Sequence, residues 1–248
     1  MRYLVISDIH ANLTAFEAVL ADTKGDYDKV WCLGDVVGYG PHPNECVERL
    51  RELDHLCIAG NHDWAVLDKL DIEEFNPSAR FAILWTRDQL KAENYDYLDN
   101  LPVSLQRETV FTLVHGSPRH PIWEYIIHPQ TAQVNFAHFS SDTRYCLVGH
   151  THSPIIFAEA DSPNAMCDEI IPGPDNYVRK LDSQRLIINP GSVGQPRDGD
   201  ARAAYGILDT DKMEFYIKRV PYHVSEVQEL MKQFDFPARL WKRLAFGY

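Results

Sequence analysis

The sequence predicts an α/β fold whose short strands alternate with helices and direct their carboxyl ends into one crevice. Three observations predict it. Apolar runs of four or five residues recur, too short to be helices. Stretches with helical apolar spacing separate the first of them, as in crossover units with a mainly parallel arrangement. Five of the runs also break off at residues able to hold metals. Tyr3 to Ser7 ends at Asp8-Ile9-His10, Val30 to Leu33 at Gly34-Asp35, and Leu56 to Ala59 at Gly60-Asn61-His62-Asp63. Val110 to Val114 ends at His115-Gly116, and Tyr145 to Val148 at Gly149-His150-Thr151-His152. Parallel strands gather functional residues at their carboxyl ends, so these clusters are expected to meet.

The elements follow in order. After the first strand, Asn12 precedes Leu13, Phe16, Val19 and Leu20 at helical spacing, and is read as the N-cap of that helix. After the second, Cys46, Val47, Leu50 and Leu53 repeat the spacing behind Pro43. Residues 65 to 109 carry no strand signal. Phe81, Leu84, Trp85 and Leu90 mark one helix starting near Asn76-Pro77-Ser78, and Glu93 to Asn100 a shorter one that stops before Pro102. Residues 117 to 143 read as partly helical, with Val134, Phe136, Ala137 and Phe139. Both stretches flank His115 in sequence, which suits a small helical cap near the crevice. Ile155 to Ala158 reads as a strand, and Asp161 to Asp182 as a loop or irregular hairpin. Leu186 to Ile188 is a short strand ending at Asn189-Pro190-Gly191-Ser192. Tyr205 to Leu208 and Met213 to Arg219 form a hairpin around Asp209-Thr210-Asp211-Lys212. Val224, Val227, Leu230, Met231 and Phe234 make a C-terminal amphipathic helix, read as core cover or a contact between copies of the chain.

The chain has 248 residues, 45% of them hydrophobic and 24% charged, which fits one large globular domain. No run approaches the roughly 18 apolar residues of a membrane span. Tyr3 to Ile6 is too short for a signal sequence and leads straight into Asp8. The five cysteines (Cys32, Cys46, Cys57, Cys146 and Cys167) are odd in number and form no C-x-x-C pair. They read as buried thiols of a reducing compartment, hence a cytoplasmic protein. The net charge of −12 argues against a nucleic-acid footprint. Two divalent cations would offset about four of those charges in one place and draw an anionic substrate there.

Asp8 and His10 offer a carboxylate and an imidazole two residues apart, which share a face if the chain continues extended. Asp35 adds a carboxylate able to bridge two metals. Asn61 adds a carbonyl oxygen, and His115, His150 and His152 add three imidazoles. No cysteine joins the set, so it suits manganese, iron, zinc or magnesium rather than a thiolate-selected metal.

The order D-x-H, G-D, G-N-H-D, H-G, G-H-T-H resembles the calcineurin-like metallophosphoesterase superfamily. The runs Ser7 to Asn12, Gly34 to Pro41 and Asn189 to Arg197 resemble its small stand-alone bacterial and archaeal branch, so the likeness spans residues 7 to 197. The resemblance implies a four-layer αββα sandwich of two mixed β-sheets with flanking helices. It implies one domain over residues 1 to 248, with helical inserts at about 65–109 and 117–143. Asp8, His10, Asp35 and His152 would hold one metal, and Asp35, Asn61, His115 and His150 the other. His62 would sit by the substrate's leaving group, and Asp63 would orient it through a hydrogen bond. The implied activity is hydrolysis of a phosphate ester or phosphoanhydride by a metal-activated hydroxide. Cyclic nucleotides, dinucleoside polyphosphates and phosphomonoesters are all allowed as the small phosphorylated substrate. The protein Ser/Thr phosphatases of the superfamily carry Asp-Arg-Gly where this chain has Gly38-Tyr39-Gly40, so their phosphate-binding arginine is missing here. A non-catalytic metal-binding scaffold is the alternative from another class. It predicts gaps in the motif set, and there are none.

Arg119 and Arg197 are candidates to bind phosphate bidentately, or else surface arginines. His42 is read as a solvated loop residue, and Trp123 and Tyr125 as core packing or crevice lining. His55, His120, His128, His138 and His223 match no motif.

Overall fold

The computed structural model describes residues 1–162 and 165–248. In chain order the first half runs β1 (Arg2–Ile6), α1 (Leu13–Asp22), β2 (Lys29–Cys32), α2 (Pro43–Arg51), β3 (His55–Cys57), α3 (Asn61–Val66), α4 (Pro77–Gln89), α5 (Ala92–Asp99), β4 (Ser104–Arg107) and β5 (Phe111–Val114). The second half runs α6 (Pro129–Phe136), β6 (Tyr145–Leu147), β7 (Ile155–Ala158), β8 (Asp168–Ile170), β9 (Tyr177–Lys180), β10 (Leu186–Asn189), β11 (Ala203–Asp209), β12 (Glu214–Val220), α7 (Val224–Gln233) and α8 (Ala238–Arg243).

Two six-stranded sheets result, ordered β3-β2-β1-β11-β12-β9 and β4-β5-β6-β10-β7-β8. Alternation along the strands explains the layering. Tyr3 and Val5 of β1 face inward with Trp31, Leu208 and Phe215, against Phe111, Leu113, Tyr145, Leu147 and Ile188 of the other sheet. Leu4 and Ile6 face outward, where α1, α2, α4 and α7 cover them. On the far side α6 covers Val114, Cys146 and Ile187. The four layers are therefore helices, sheet, sheet and helix. All five cysteines are buried and unpaired. Among the described residues, no helix is long and apolar enough to cross a membrane.

The parallel pairing predicted from the first alternating strands and helices is found there and recurs in the second sheet, in both cases at the part that matters for the site. β1, β2 and β3 pair in parallel, as do β5, β6 and β10, and the remaining pairs are antiparallel. Every strand predicted to end in a metal donor lies in one of these parallel triplets. The predicted hairpin forms as β11 and β12, and Asp209 Oδ1 caps its turn by accepting from the Asp211 and Lys212 amides at 3.1 and 3.0 Å.

Residues 65 to 109 do hold a strand, contrary to the sequence reading. β4 is a polar edge strand with exposed Ser104 and Gln106, so it has no apolar signature and is set by pairing with β5. The stretch from Asp161 to Asp182 is not a hairpin. Its β8 pairs with β7 in one sheet and its β9 with β12 in the other, and Pro163 and Asn164 lie outside the described residues. α4 and α5 pack on α2 and α3, while loop residues Phe75, Trp123 and Tyr125 reach the crevice.

Candidate metal centre

The strand ends do converge. The donor atoms of Asp8, His10 and His152 lie within 4.8 Å of one another, and so do those of Asp35, His115 and His150. All six residues are buried. Asp35 Oδ2 links the two groups, at 3.5 Å from His10 Nε2 and 3.3 Å from His115 Nε2. Asn61 Oδ1 stands 3.1 Å from the same His115 nitrogen.

The chain reaches this geometry through tight turns. Asp8, His10, Asp35, His150 and His152 all have positive φ, between 48° and 68°. A left-handed backbone is costly for residues with a Cβ, and here neighbouring loops hold it in place. The Asp8 amide donates to Gly34 O at 3.0 Å and the His10 amide to Asp35 O at 2.9 Å. The expected extended path from Asp8 to His10 is therefore wrong. The two side chains meet because the backbone curls against the β2 loop, which leaves no room for side chains. Gly34, at φ +91°, would put a Cβ 2.7 Å from the Gly60 amide nitrogen, and a Cβ on Gly60 would collide with Asp35 Oδ1.

Hydrogen bonds on the far side of each ring determine which nitrogen faces the centre. Val37 O and Gln195 O can only accept, so His10 and His152 donate Nδ1–H to them, at 3.1 and 2.6 Å. Their Nε2 lone pairs then point at each other across 3.1 Å. His115 donates Nδ1–H to Leu33 O at 2.8 Å, which turns its Nε2 toward Asp35 and Asn61. His150 donates Nε2–H to Trp123 O at 3.1 Å and keeps Nδ1 for the centre. Lone pairs facing one another without a proton between them repel, and a cation removes that repulsion. Asp35 Oδ2, buried and without a hydrogen-bond partner, makes the same point. The donor set therefore fits two divalent cations held by nitrogen and oxygen, with Asp35 shared.

Titration of the centre follows from its burial. Burial raises Asp8 to about 6. Burial would also raise Asp35, but the adjacent His115 charge holds it well below the usual carboxylate range. Burial would lower His115, yet Asp35 outweighs it and brings the imidazole up to about 10. Burial lowers His10, His150 and His152. The proton on His115 thus stands where a cation would balance the same carboxylates.

His62 is buried beside both groups, its ring 4.9 Å from His10, 4.3 Å from Tyr39 and 5.2 Å from Phe75. Its amide donates to Asp35 Oδ1 at 2.8 Å, and its Nδ1 has no partner. Burial lowers it to about 4, so the ring is neutral at neutral pH. Asp63 does not orient it. Both Asp63 oxygens are taken by backbone, accepting from Asp35 N at 2.9 Å, Gly60 N at 3.0 Å and Val37 N at 3.1 Å. Asp63 opens the short helix α3 and ties the β2 and β3 loops together.

Several contributors were not identified from sequence. Ser192 Oγ donates to Asp8 O at 2.9 Å, and Asn189 Nδ2 donates to Gly149 O and Thr151 Oγ1 at 2.6 and 2.9 Å. The Asn189 to Arg197 segment is thus a brace for Asp8, His150 and His152, which its turn chemistry alone does not show. Asn12 caps α1 as expected, accepting from Ala15 N at 3.1 Å, and also donates to Gly194 O at 2.8 Å. Arg119 is held by Glu124, whose carboxyl the arginine's hydrogen bonds pull down to about 2 against the opposing effect of burial, and so it braces its own loop. His42 is half-buried at the start of α2, with Nδ1 shielded from water, rather than solvated. Trp123 and Tyr125 are 38% and 45% exposed, and the Tyr125 ring lies 3.7 Å from His150, so both line the crevice.

A sequence profile of the calcineurin-like phosphoesterase superfamily domain matches residues 1–213. A metallophosphoesterase from Sphaerobacter thermophilus is similar to the chain at 48% identity and a TM-score of 0.90, covering 100% of this chain and 99% of that one. An uncharacterized protein of Methanocaldococcus jannaschii is 39% identical over 251 residues, covering 98% of this chain and 97% of its own length. A symmetrical bis(5'-nucleosyl)-tetraphosphatase of Haemophilus ducreyi is 28% identical over 131 residues, which is 50% of this chain and 47% of that protein.

Proposed function

The chain belongs to the calcineurin-like phosphoesterase superfamily and is a hydrolase, and on that premise we propose that it cleaves a small phosphorylated molecule, a phosphodiester or a nucleotide, at the two Asp/His groups. One observation carries the reading. Nitrogen and oxygen atoms able to ligate a cation, from five strand ends, face one another within 3.1 to 3.5 Å, with no proton between His10 and His152. Such a site suits cations, and the set has no gap, which the scaffold alternative requires.

A pair of divalent cations supplies Lewis-acid stabilisation of a phosphoryl oxygen and an acidified water. The chain's own residues do the rest. Asp35 holds both groups in one register, and the brace from Asn189 to Gln195 fixes Asp8, His150 and His152. His62 stands at the edge of the centre, its ring 4.9 Å from His10, and is the group assigned to donate a hydrogen bond to the departing oxygen. Tyr39 stands at the sequence position where protein Ser/Thr phosphatases carry arginine and packs on His62 and His10, so a dedicated protein phosphatase is disfavoured. The partial likeness to a tetraphosphatase supports a nucleotide substrate, and five buried free thiols support a reducing, cytoplasmic setting.

The test is metal content by elemental analysis together with turnover of bis(p-nitrophenyl) phosphate in manganese. The reading expects two cations per chain and turnover. Full occupancy with no turnover of this or any phosphate ester would favour the scaffold.

A further inference from the structure

Two aromatic side chains at the mouth of the centre are held in place yet left open to solvent. Trp123 and Tyr125 are 38% and 45% exposed, whereas His150 beneath them is buried. The Tyr125 ring lies on the His150 ring, 3.7 Å between centroids and 22° from parallel, so one of its faces is taken and the other is open. The Trp123 ring stands 6.3 Å from the same imidazole. Phe75 meets Trp123 edge-on at 5.0 Å and meets His62 edge-on at 5.2 Å, and is itself buried. A wall of aromatic rings therefore runs along the crevice from His62 to His150.

The backbone beneath this wall is tied to the centre at two points. His150 Nε2 donates to Trp123 O at 3.1 Å. Gly116, next to His115, donates its amide to Pro121 O at 2.6 Å, and a Cβ there would come within 3.0 Å of the Trp123 and Glu124 amide nitrogens. The Glu124 carboxylate then accepts from Ser117 Oγ and Asn135 Nδ2, both at 2.8 Å, and pairs with Arg119. A loop ordered in advance loses little entropy when a ligand settles on it. Its arginine is neutralised by its own acid. The neighbouring cation, Arg197, stands instead by Tyr39, its guanidinium 5.6 Å from that ring. Trp123 and Tyr125 thus offer flat faces without a charge of their own, which suits an uncharged planar group.

We propose that Trp123 and Tyr125 stack the nucleobase of the substrate, so that nucleotides are preferred over phosphate esters that lack a base. The proposal rests on the hydrolase reading above, which puts a phosphate at the Asp/His groups. Every nucleobase presents an uncharged π-face and stacks on aromatic side chains whatever its identity. A ring laid on the open face of Tyr125 would sit roughly 7 to 8 Å from the His150 ring, because stacked atoms approach to about 3.5 to 4 Å. A phosphate beside His150 needs a spacer to cover that distance. The sugar of a nucleotide is such a spacer, whereas an aryl phosphate carries its ring only one oxygen from phosphorus.

The experiment compares adenosine 5'-monophosphate with ribose 5-phosphate, which lacks the base, on manganese-loaded protein. Each competes with bis(p-nitrophenyl) phosphate in initial-rate assays, and each is titrated against tryptophan fluorescence excited above the adenine absorption band. Wild type should bind the adenosine probe at least about fivefold tighter, the low end for one base stacked on an aromatic ring, and only that probe should quench the fluorescence. Trp123→Leu keeps an apolar side chain but removes the plane, so the ratio should fall toward one, while Trp123→Phe should keep most of it. Tyr125→Leu should lower it as well. Elemental analysis and circular dichroism establish that each variant retains its metals and fold, and the two Trp123 variants decide if Tyr125→Leu does not. A wild-type ratio near one, no quenching by the adenosine probe, or a ratio unchanged in Trp123→Leu overturns the platform. So does O-phosphotyrosine binding tighter than the adenosine probe and losing that advantage in Trp123→Leu, which would assign the wall to aryl phosphates. Turnover of bis(p-nitrophenyl) phosphate without a preference for the base removes the platform alone, whereas metal-loaded protein with no turnover removes the reading on which it stands.

Discussion

The centre and its rim are built in opposite ways. The centre draws its donors from five strand ends, each fixed by hydrogen bonds to a neighbouring strand or loop, and every donor side chain there is buried. The rim draws on Phe75, Trp123, Tyr125 and Arg197, which come from loops far apart in sequence. The difference separates chemistry from selection. A buried donor set with fixed tautomers allows little change without losing metal, while the rim can change and alter only what is admitted.

Substitutions can test this division directly. Asp35→Asn should cause the largest loss, about a thousandfold or more in turnover, because it removes charge from both groups at once. Steady-state hydrolysis of a chromogenic phosphodiester checks it. His62→Ala should reduce turnover by roughly a hundredfold to ten-thousandfold while elemental analysis still finds both metals. Coincident loss of metal would make His62 a ligand and place it inside the centre instead of at its edge. Ser192→Ala leaves every donor in place but frees the Asp8 carbonyl, so metal affinity should fall by roughly ten- to a hundredfold with the fold intact. Trp123→Ala, at the rim, should change KM among substrates by only a few-fold and leave metal affinity alone, and a large loss of metal would erase the division between the two regions.

The pH dependence of the metal-free protein tests the centre's electrostatics. Asp35 raises the folded His115 pKa to about 10 against an ordinary value near 6.5. Its contribution to stability is therefore complete below about pH 6.5 and fades as pH rises toward 10, by about 1.4 kcal/mol per unit at most. Between pH 7 and 9, chelated protein should lose stability in denaturant titrations. The metal-loaded protein should lack this slope, because His115 must be neutral to act as a ligand.

The same contrast explains what could be read from the sequence. Donors following short apolar runs were legible because a parallel strand fixes where its last residue goes. The antiparallel additions β4, β8 and β9 were not, since Ser104 to Arg107, Asp168 to Ile170 and Tyr177 to Lys180 are polar edges defined only by their partners. Asp8 and His10 were placed correctly for the wrong reason. Their left-handed turns depend on the Gly34 and Asp35 carbonyls, which no local pattern reveals. The family resemblance implied Asp63 as a partner for His62, but three backbone amides claim its carboxylate. Arg119 and Arg197 were equivalent in sequence, and only the presence of Glu124 beside one of them separates their roles.

Calorimetric titration of metal-free protein with manganese, in wild type and in Asp35→Asn, tests the central claim most directly. Two cations sharing one carboxylate predict a stoichiometry of two for the wild type, and for the variant the weakening or loss of both binding events together. A wild type that binds one cation, or an Asp35→Asn variant that still binds two with unchanged affinity, would contradict a centre joined at Asp35.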